Sequence, residues 1–207
     1  MKLIENMMMR KINEIFYSLQ GEGAHTGVPS VFIRFSGCNL RCGFCDTAHE
    51  SGDLMTDAAI VDKVRAYPGE WIILTGGEPA LWIDSAFVAY LKVMTGKKVA
   101  IETNGSHPVP PEVDWVTVSP KLGVEGAGGY ELRVDRADEL KVVEIGQDLE
   151  GYFHLPCVGL TTRMYLQPCF VADSGECRRN RERTIGRVLA DPRWTLSLQT
   201  HRFLDIP

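Results

Sequence analysis

The sequence lacks several features that would place it in a class at once. No apolar run approaches the roughly 18–20 residues that cross a bilayer, and the opening MKLIENMMMRK has no apolar stretch typical of a secretory signal. Basic residues are outnumbered, with 22 Lys and Arg against 27 Asp and Glu, which gives a net charge of −5. This balance argues against binding to a nucleic-acid backbone, which needs a basic face. We therefore expect a cytoplasmic protein with neither a nucleic-acid nor a membrane partner.

The chain also lacks internal repeats, low-complexity tracts and linkers. Its 207 residues are 44% hydrophobic and 24% charged, values ordinary for a globular domain with a sizeable core. We expect a single domain over 1–207, with a lead-in at 1–11 and a C-terminal tail at 196–207.

Apolar, β-branched segments alternate with helical patterns along the chain. We predict strands at the following segments: 12–20, 30–35, 70–76, 98–105, 114–120, 139–145, 163–168 and 194–200. Several are continuously apolar, as in a parallel sheet covered on both faces. We predict helices at 57–67, 84–95 and 178–190, where apolar residues share one face. The connections 104–114 and 121–136 are rich in Pro or Gly and lack a helical period. The pattern predicts an α/β fold with fewer helices than a complete barrel.

Polar residues follow the ends of successive predicted strands. They are Thr75, Gly76, Gly77, Glu78, Glu102, Thr103, Asn104, Ser119, Lys121 and Gln167. Ligands bind at the carboxyl ends of strands in α/β sheets and barrels, so these residues predict one shared pocket.

Three of the six cysteines are clustered in GCNLRCGFCDT (37–47), whereas Cys157, Cys169 and Cys177 are scattered. Without an export signal, a metal or redox use of the cluster is favoured over a disulfide framework. Cys42 and Cys45 form a C-x-x-C pair, which is half of a common zinc site, but no second such pair follows. A thioredoxin-like dithiol leaves Cys38 without a role. A [4Fe–4S] cluster with one iron open to a small molecule uses all three thiols of the loop.

Several motifs together carry a family resemblance. CNLRCGFCDT (38–47) resembles the cluster loop of the radical S-adenosylmethionine superfamily, and TGGEP (75–79) resembles its motif for the methionine amino group. Further matching segments are FYSLQGEG (16–23), GVPSVFIRFSGCNLRC (27–42), IETNG (101–105), VSPK (118–121), ELKVV (139–143) and LSLQTHRFLDIP (196–207). Jointly they resemble the 7-carboxy-7-deazaguanine synthase family, radical enzymes of 7-deazapurine and queuosine-precursor biosynthesis.

The resemblance implies a radical-SAM core, a partial TIM-like β/α barrel, and a reaction. A [4Fe–4S] cluster binds and reductively cleaves S-adenosylmethionine. The resulting radical takes hydrogen from C6 of 6-carboxy-5,6,7,8-tetrahydropterin, the ring contracts with loss of ammonia, and the hydrogen is returned so that the cofactor is regenerated. The family also implies Mg²⁺, an electron donor such as flavodoxin, and a homodimer.

Residue roles carry over by motif. The resemblance assigns the cluster to Cys38, Cys42 and Cys45, and Mg²⁺ to Thr47. It assigns S-adenosylmethionine to Phe44, Asp46, Gly77, Glu78, Glu102, Asn104, Ser119, Pro120, Lys121 and Gln167. It assigns the substrate to Leu19, Gln20, Gly21, Glu22, Arg34, Thr75, His201 and Pro207, of which Glu22, Arg34 and His201 are the catalytic candidates. Arg34 would pair with the substrate carboxylate, and the proline carboxylate of the tail would fold into the site.

Simpler interpretations stay open at this point. His201 taken alone is more often a core or surface histidine, TGGEP can be an ordinary turn, and Arg34 in an apolar strand can be an ion-pair partner. Two rival functions also share parts of the pattern. One is a radical enzyme that activates a glycyl-radical partner, and the other is a zinc-stabilised module without catalysis.

Overall fold

A single nine-stranded sheet organises the computed structural model, which describes residues 8–207. In spatial order the strands are β3, β1, β2 and then β4 to β9. The first three are β1 (Met9–Leu19), β2 (Pro29–Phe35) and β3 (Asp53–Thr56), which pair antiparallel. From β2 onward all neighbours are parallel: β4 (Trp71–Gly76), β5 (Lys98–Thr103), β6 (Trp115–Val118), β7 (Glu139–Glu144), β8 (Arg163–Pro168) and β9 (Thr195–Leu196).

Four helices accompany the sheet. They are α1 (Asp57–Arg65), α2 (Ser85–Thr95), α3 (Ser174–Ala190) and α4 (Thr200–Leu204). The first three begin at side-chain caps, in which Thr56, Asp84 and Asp173 each accept a hydrogen bond from a backbone N–H of the first turn. The cap at Asp173 explains why α3 begins four residues earlier than its apolar periodicity predicts. Short 3₁₀ turns lie at Gly23–His25, Pro79–Leu81 and Glu150–His154.

The main core lies between the sheet and its helices. Ile60, Val61 and Val64 of α1, with Phe87, Val88 and Leu91 of α2, pack on buried strand residues. In the described chain no α-helix lies between β5 and β6 or between β6 and β7. The sheet is open, since β3 and β9 are its edges. The prediction of an α/β partial barrel with a reduced number of helices is therefore confirmed.

The opposite face of the sheet lines the concave interior of the partial barrel. Side chains alternate along a strand, so residues two apart share this face. Phe32, Ile73 and Ala100 form a small buried cluster there, packed against Phe16, Trp71 and Trp115. Two residues further along the same three strands, on the same face, lie Arg34, Thr75 and Glu102, near the carboxyl ends of the strands. The apolar cluster is thus the floor beneath the polar strand ends.

Three segments differ from the sequence predictions. β3 was not expected, because only Leu54 and Met55 are apolar in it; it forms by extending the antiparallel edge of β1. The predicted strand at 194–200 is reduced to Thr195–Leu196, because the chain then turns into α4. Residues 1–7 of the lead-in predicted at 1–11 lie outside the described residues. The rest of this segment differs from the prediction, because β1 begins at Met9.

The segment 146–162, which showed no clear pattern, closes the core near the last strand. Tyr152 is buried, and Phe153 lies with its ring centroid 4.9 Å from that of Trp194. The backbone carbonyl of Cys157 accepts a hydrogen bond from Ala137, which precedes β7. The segment therefore replaces a crossover helix. Within residues 8–207, no helix has both the length and the apolar composition of a membrane span.

Candidate active site

A cavity of about 440 Å³ opens at the carboxyl ends of the parallel strands, above the apolar floor. The cysteine loop, the turn after β1 and the C-terminal tail complete its wall. Residues with assigned roles that line it are Leu19, Gln20, Gly21, Glu22, Arg34, Cys38, Cys42, Phe44, Cys45, Asp46, Thr47, Thr75, Gly77, Glu102, Asn104, Ser119, Lys121, Gln167, His201 and Pro207. The structure thus brings together all but two of the predicted site residues.

The cysteine loop has no regular secondary structure and is held by its neighbours. Backbone N–H groups of Arg41 and Gly43 donate to the carbonyls of Gly126 and Glu125, at 3.0 and 3.1 Å. Gly126 has a φ of +81°, and a Cβ there would overlap the carbonyl oxygen of Arg41. The glycine-rich connection 121–136, which lacks a helical period, therefore packs against the cysteine loop and stabilises its conformation.

The three cysteines on this loop line the cavity and differ in their exposure to solvent. Cys38 and Cys42 are partly buried, whereas Cys45 is exposed. Burial raises the pKa of the Cys38 thiol. Burial also raises the pKa of Cys42, and the positive charge of Lys121 opposes that rise. A cation beside a thiol favours the thiolate form that metals bind.

The three thiols are a donor set of the kind that binds an iron–sulfur cluster. Within residues 8–207, no three His, Cys, Asp or Glu side chains are grouped so that they could hold one metal ion. Three thiols on one exposed loop, open to a cavity, match the corners of a cluster whose fourth iron takes a small-molecule ligand. The residues present therefore fit a [4Fe–4S] cluster and a cofactor bound beside it.

The turn after β4 packs directly against the cysteine loop. Gly77 donates from its backbone N–H to the carbonyl of Phe35, and a Cβ on Gly77 would overlap the carbonyl oxygen of Gly37. The next N–H, of Glu78, donates to that same carbonyl of Gly37 at 2.9 Å. Only a residue without a side chain permits this close approach, which places Gly77 at the cavity wall beside Cys38.

Glu78 is absent from the cavity wall, and its assignment to the cofactor stays a prediction. It is fully buried, and its carboxylate accepts hydrogen bonds from the Ala80 N–H (2.9 Å), the Thr103 hydroxyl (2.7 Å) and the Asn104 N–H (2.7 Å). Burial raises the pKa of Glu78, and these hydrogen bonds oppose the rise. Glu78 therefore fixes the end of β5 against the turn after β4.

Residues after β5 and β6 and near the end of β8 form the next part of the wall. The Asn104 side chain donates to Asn39 of the cysteine loop at 3.1 Å. The ammonium of Lys121 donates to the carbonyl and hydroxyl of Ser119 at 2.8 and 2.6 Å and lies 6.0 Å from the ring centroid of Phe44. Gln167 accepts from the Ser197 hydroxyl at 2.9 Å.

Pro120 is the second assigned residue that the cavity wall lacks, and its role also stays a prediction. It is buried and absent from the cavity wall, whereas Ser119 and Lys121 on either side of it line the wall. Successive side chains of an extended segment point to opposite sides, so the middle residue of this triplet faces away.

A cluster of charges lies at the centre of the cavity. Lys141 of β7 is within 2.5 Å of Glu22 Oε2 and 2.8 Å of Glu102 Oε2. Gln20 donates to Glu102 Oε1 at 3.1 Å, and Gln199 donates to Glu22 Oε1 at 2.8 Å. Burial alone would raise the pKa of Glu22, but Lys141 and these hydrogen bonds hold it below its ordinary value. Burial raises the pKa of Glu102 despite the same lysine.

The C-terminal tail is joined to the turn after β1. Thr200 donates from its N–H (2.9 Å) and hydroxyl (3.0 Å) to the Gly21 carbonyl. The imidazole of His201 lies against Gly21 and occupies the space that a side chain at Gly21 would need. Burial lowers the pKa of His201, although Glu22 opposes this. Pro207 then reaches the cavity wall.

Arg34 and Thr75 are register partners on β2 and β4, and both line the cavity. Arg34 donates from Nε to Glu14 Oε1 at 2.6 Å and lies over the ring of Phe16. The ion-pair interpretation of Arg34 is therefore correct as far as Nε is concerned. Among the hydrogen bonds of the described chain, none involves its two terminal nitrogens, which leaves a fork for a ligand anion.

Sequence reasoning missed several residues of the wall. Lys141, Gln199, Arg202 and Phe170 all line the cavity without an assigned role. Lys141 carried a signal, because a charged residue lies in the middle of the apolar strand ELKVV. Arg202 pairs with Asp46 at 2.6 Å and lies 3.7 Å above Phe170, which ties the tail to the cysteine loop. A contact of this kind between distant segments has no local sequence pattern.

Comparisons with known proteins agree with this geometry. The model of the radical SAM superfamily matches residues 32–120. A 7-carboxy-7-deazaguanine synthase from Bacteroides thetaiotaomicron is 55% identical over 199 residues, covering 96% of this chain and all of the relative. Its counterpart from Bordetella pertussis is 37% identical, covering 97% of this chain and all of the relative.

A solved structure extends the similarity to three dimensions. The crystal structure of QueE from Escherichia coli superposes with a TM-score of 0.72 at 30% identity, covering 93% of this chain and 94% of the other. Near-complete coverage of both sequence and fold, together with the three-cysteine loop, shows that the chain belongs to the 7-carboxy-7-deazaguanine synthase family of the radical SAM superfamily.

Proposed function

We propose that this chain is an enzyme that converts 6-carboxy-5,6,7,8-tetrahydropterin to 7-carboxy-7-deazaguanine by radical ring contraction with loss of ammonia, a step toward queuosine. The observation that carries the proposal is the cavity at the carboxyl ends of the parallel strands. It joins the three thiols, the polar ends of the parallel strands, the turn after β1 and the tail. Relatives that bear the name of this synthase match along almost the whole chain.

Cys38, Cys42 and Cys45 are the proposed ligands of a [4Fe–4S] cluster, which the radical SAM superfamily implies together with S-adenosylmethionine. When bound, this pair supplies a 5′-deoxyadenosyl radical that takes hydrogen from C6 of the pterin. The cysteine loop would hold the cluster at the cavity, where Cys45 is exposed and Cys38 lies beside Gly77 in the wall.

The strand ends position the cofactor in this proposal. Gly77 leaves room for the methionine end beside the cysteine loop, while Asn104 and Glu102 present polar groups at the end of β5. Phe44 and Lys121 offer a ring face and a cation on the adenosine side, with Ser119 and Gln167 alongside. Asp46, also assigned to the cofactor, is held in place by its ion pair with Arg202 of the tail.

The turn after β1 and the tail position the substrate. Gln20 and Glu22 present a donor and a carboxylate to the edge of the pterin that carries N–H groups, and Arg34 offers its terminal nitrogens to the substrate carboxylate. Thr75 and His201 complete the polar lining, above the apolar floor formed by Phe32 and its neighbours.

The tail also shields the reaction. Its contacts with Gly21 and Asp46 place Pro207 and Ile206 in the wall, where they exclude water from the reacting atoms. Shielding matters because a carbon radical reacts with any C–H bond within reach. We further propose that Thr47, which lines the cavity, supplies one ligand to Mg²⁺ that is otherwise held by water and substrate.

Three further properties follow from the same proposal. The enzyme receives its electron from a small carrier such as flavodoxin, acts in the cytoplasm and forms a homodimer. These points depend on the family alone. The cavity of one chain contains every residue to which the proposal assigns a substrate role.

The test is anaerobic turnover by reconstituted protein. We expect the pterin, S-adenosylmethionine, dithionite and Mg²⁺ to yield 7-carboxy-7-deazaguanine and ammonia, detected by mass spectrometry and by an ammonia assay. Protein in which Cys38, Cys42 and Cys45 are all replaced by Ser is expected to form no product. A wild-type protein that is full in iron and sulfide, cleaves the cofactor and leaves the pterin unchanged would contradict the proposal.

A further inference from the structure

Lys141 is a lysine in a buried strand, and its ammonium group lies between two carboxylates from different halves of the site. It is 5% exposed, and Nζ contacts Glu22 Oε2 at 2.5 Å and Glu102 Oε2 at 2.8 Å. Glu22 belongs to the turn proposed for the substrate, whereas Glu102 ends the strand proposed for the cofactor. One cation therefore joins the two ligand-binding sides.

The other oxygen of each carboxylate is also held. Glu102 Oε1 accepts from Gln20 at 3.1 Å, and Glu22 Oε1 accepts from Gln199 at 2.8 Å. These amides are neutral, so Lys141 is the group in this network that compensates negative charge. The remaining charged groups that face the network are Glu139 on β7, Lys121 after β6, Asp46 on the cysteine loop, and His201 and Arg202 on the tail.

The electrostatics separate a positioning role from a proton-transfer role. Glu22 and Glu102 together raise the pKa of Lys141 well above its usual range and outweigh the effect of burial. An ammonium held so strongly is a poor proton donor, but it is a permanent counter-charge. Without it, two carboxylates would share one buried space, and burial and mutual repulsion would raise the pKa of both.

We propose that Lys141 is a positioning residue for the proposed reaction: its ammonium group aligns the carboxylates of Glu22 and Glu102 and favours their charged forms on the pterin side and the S-adenosylmethionine side. This inference rests on the proposed function, and it adds a role that the family motifs did not assign. Lys141 acts through the two carboxylates and takes no part in the chemistry of the substrate.

The test replaces Lys141 by Met, which keeps the length of the side chain and removes its charge. We measure the KM for the pterin and the dissociation constant of S-adenosylmethionine between pH 6 and 9 in the cluster-loaded protein. In the wild type the positive charge of Lys141 opposes protonation of both carboxylates across this range. In the Lys141→Met variant we expect both constants to rise as pH falls, by up to about tenfold per pH unit, with recovery toward pH 9.

Two matched variants separate charge from structure. Lys141→Arg keeps the positive charge, and we expect a pH profile as flat as that of the wild type. Lys97→Met removes a lysine that donates to backbone carbonyls of Tyr67 and Gly69, outside the cavity wall. We expect it to lose stability without acquiring a pH-dependent KM, because no carboxylate of the site depends on it.

A double variant keeps the test decisive if Lys141→Met does not fold. Lys141→Met combined with Glu102→Gln removes one charge of each sign, so we expect a folded protein. Its dissociation constant for S-adenosylmethionine should no longer depend on pH, whereas the KM for the pterin still should, because Glu22 remains buried without its cation. A KM profile in Lys141→Met that matches the wild type, or a dissociation constant in the double variant that still rises as pH falls, would overturn the role of Lys141.

The two proposals can fail separately. If wild-type protein does not convert the pterin, the proposed function is wrong, and the dissociation constant of S-adenosylmethionine still tests the role of Lys141 without turnover. If the wild type converts the pterin and neither constant changes with pH in Lys141→Met, the inference alone is wrong.

Discussion

The buried carboxylate of Glu78 accepts a hydrogen bond from the backbone N–H of Asn104 at 2.7 Å. This contact joins the turn after β4 to the end of β5, two of the segments that meet the cysteine loop. The side chain that a motif comparison assigns to the cofactor is therefore part of the framework that positions the cofactor-facing groups.

Glu78→Gln should expose this role. An amide has one acceptor oxygen and one donor nitrogen, so at least one of the N–H groups now bound to the carboxylate loses its partner. We expect a loss of about 1–3 kcal/mol in the free energy of unfolding of the apoprotein, measured by urea denaturation. Glu131→Gln, at an exposed pair with Arg133, is the control and should lose less than about 1 kcal/mol. Equal losses in the two variants would refute the structural role of Glu78.

Gly77→Ala should separate the cysteine loop from the turn after β4. A Cβ at this position overlaps the carbonyl oxygen of Gly37, so the loop has to move. We expect weaker binding of S-adenosylmethionine, by tenfold or more in equilibrium dialysis. Gly128→Ala is the control, since a Cβ there meets no atom within 4 Å. Unchanged cofactor binding in Gly77→Ala would show that the close approach is dispensable.

Removal of Ile206 and Pro207 should affect the substrate more than the cofactor. Both residues line the cavity, and the contacts that hold the tail at Gly21 and Asp46 precede them and remain. We expect the KM for the pterin to rise by about tenfold or more while cofactor binding changes little. Leu204→Ala changes an exposed residue of the same tail and should leave both constants unaltered. Wild-type kinetics in the truncated protein would contradict a substrate role for the tail.

Glu139 gives a prediction on stability and pH. Burial raises its pKa from 4.5 to about 7, and the N–H of Ala24 opposes the rise by donating to its carboxylate. The folded state therefore holds a proton that the unfolded state has already released between these values. Stability contributed by this group is complete below about pH 4.5, falls as pH rises to about 7 and stays lower above that. The difference between the two pKa values corresponds to a contribution of at most about 3 kcal/mol to the free energy of unfolding.

Glu139→Gln removes this titration and keeps an acceptor for Ala24. We expect the variant to gain thermal stability over the wild type at pH 8, with a much smaller difference at pH 5. Measurement of the melting temperature at both values tests this, with Glu131→Gln as the exposed control. A difference between Glu139→Gln and wild type that is the same at pH 5 and pH 8 would exclude a raised pKa at Glu139.

The elements that the sequence predicted share one physical basis. Strands β4 and β5 contain continuous apolar runs, β7 contains Leu140, Val142 and Val143, and α1 and α2 have apolar faces at helical spacing, so local pattern alone indicates them. β3 escaped prediction because pairing with β1, and not its own residues, stabilises it. The same distinction explains why the three helices were found and the turn at Glu150–His154 was not.

The site divides in a similar way. Motifs predicted many of the residues that line the cavity, because strand ends and the cysteine loop are recognisable locally. The spacing in TGGEP does not reveal that the side chain of Glu78 is buried. No motif indicated Lys141, because its contacts are with partners 119 and 39 residues away. Ion pairs between residues distant in the sequence can be identified only from the three-dimensional structure.

The most direct test of the proposed ring contraction follows the hydrogen at C6 of the pterin. With substrate deuterated at C6 under anaerobic turnover, we expect deuterium at the 5′ carbon of reisolated S-adenosylmethionine, and more than one 7-carboxy-7-deazaguanine formed per cofactor. Formation of the deazaguanine with no deuterium in the cofactor, or stoichiometric loss of the cofactor without ring contraction, would contradict the account.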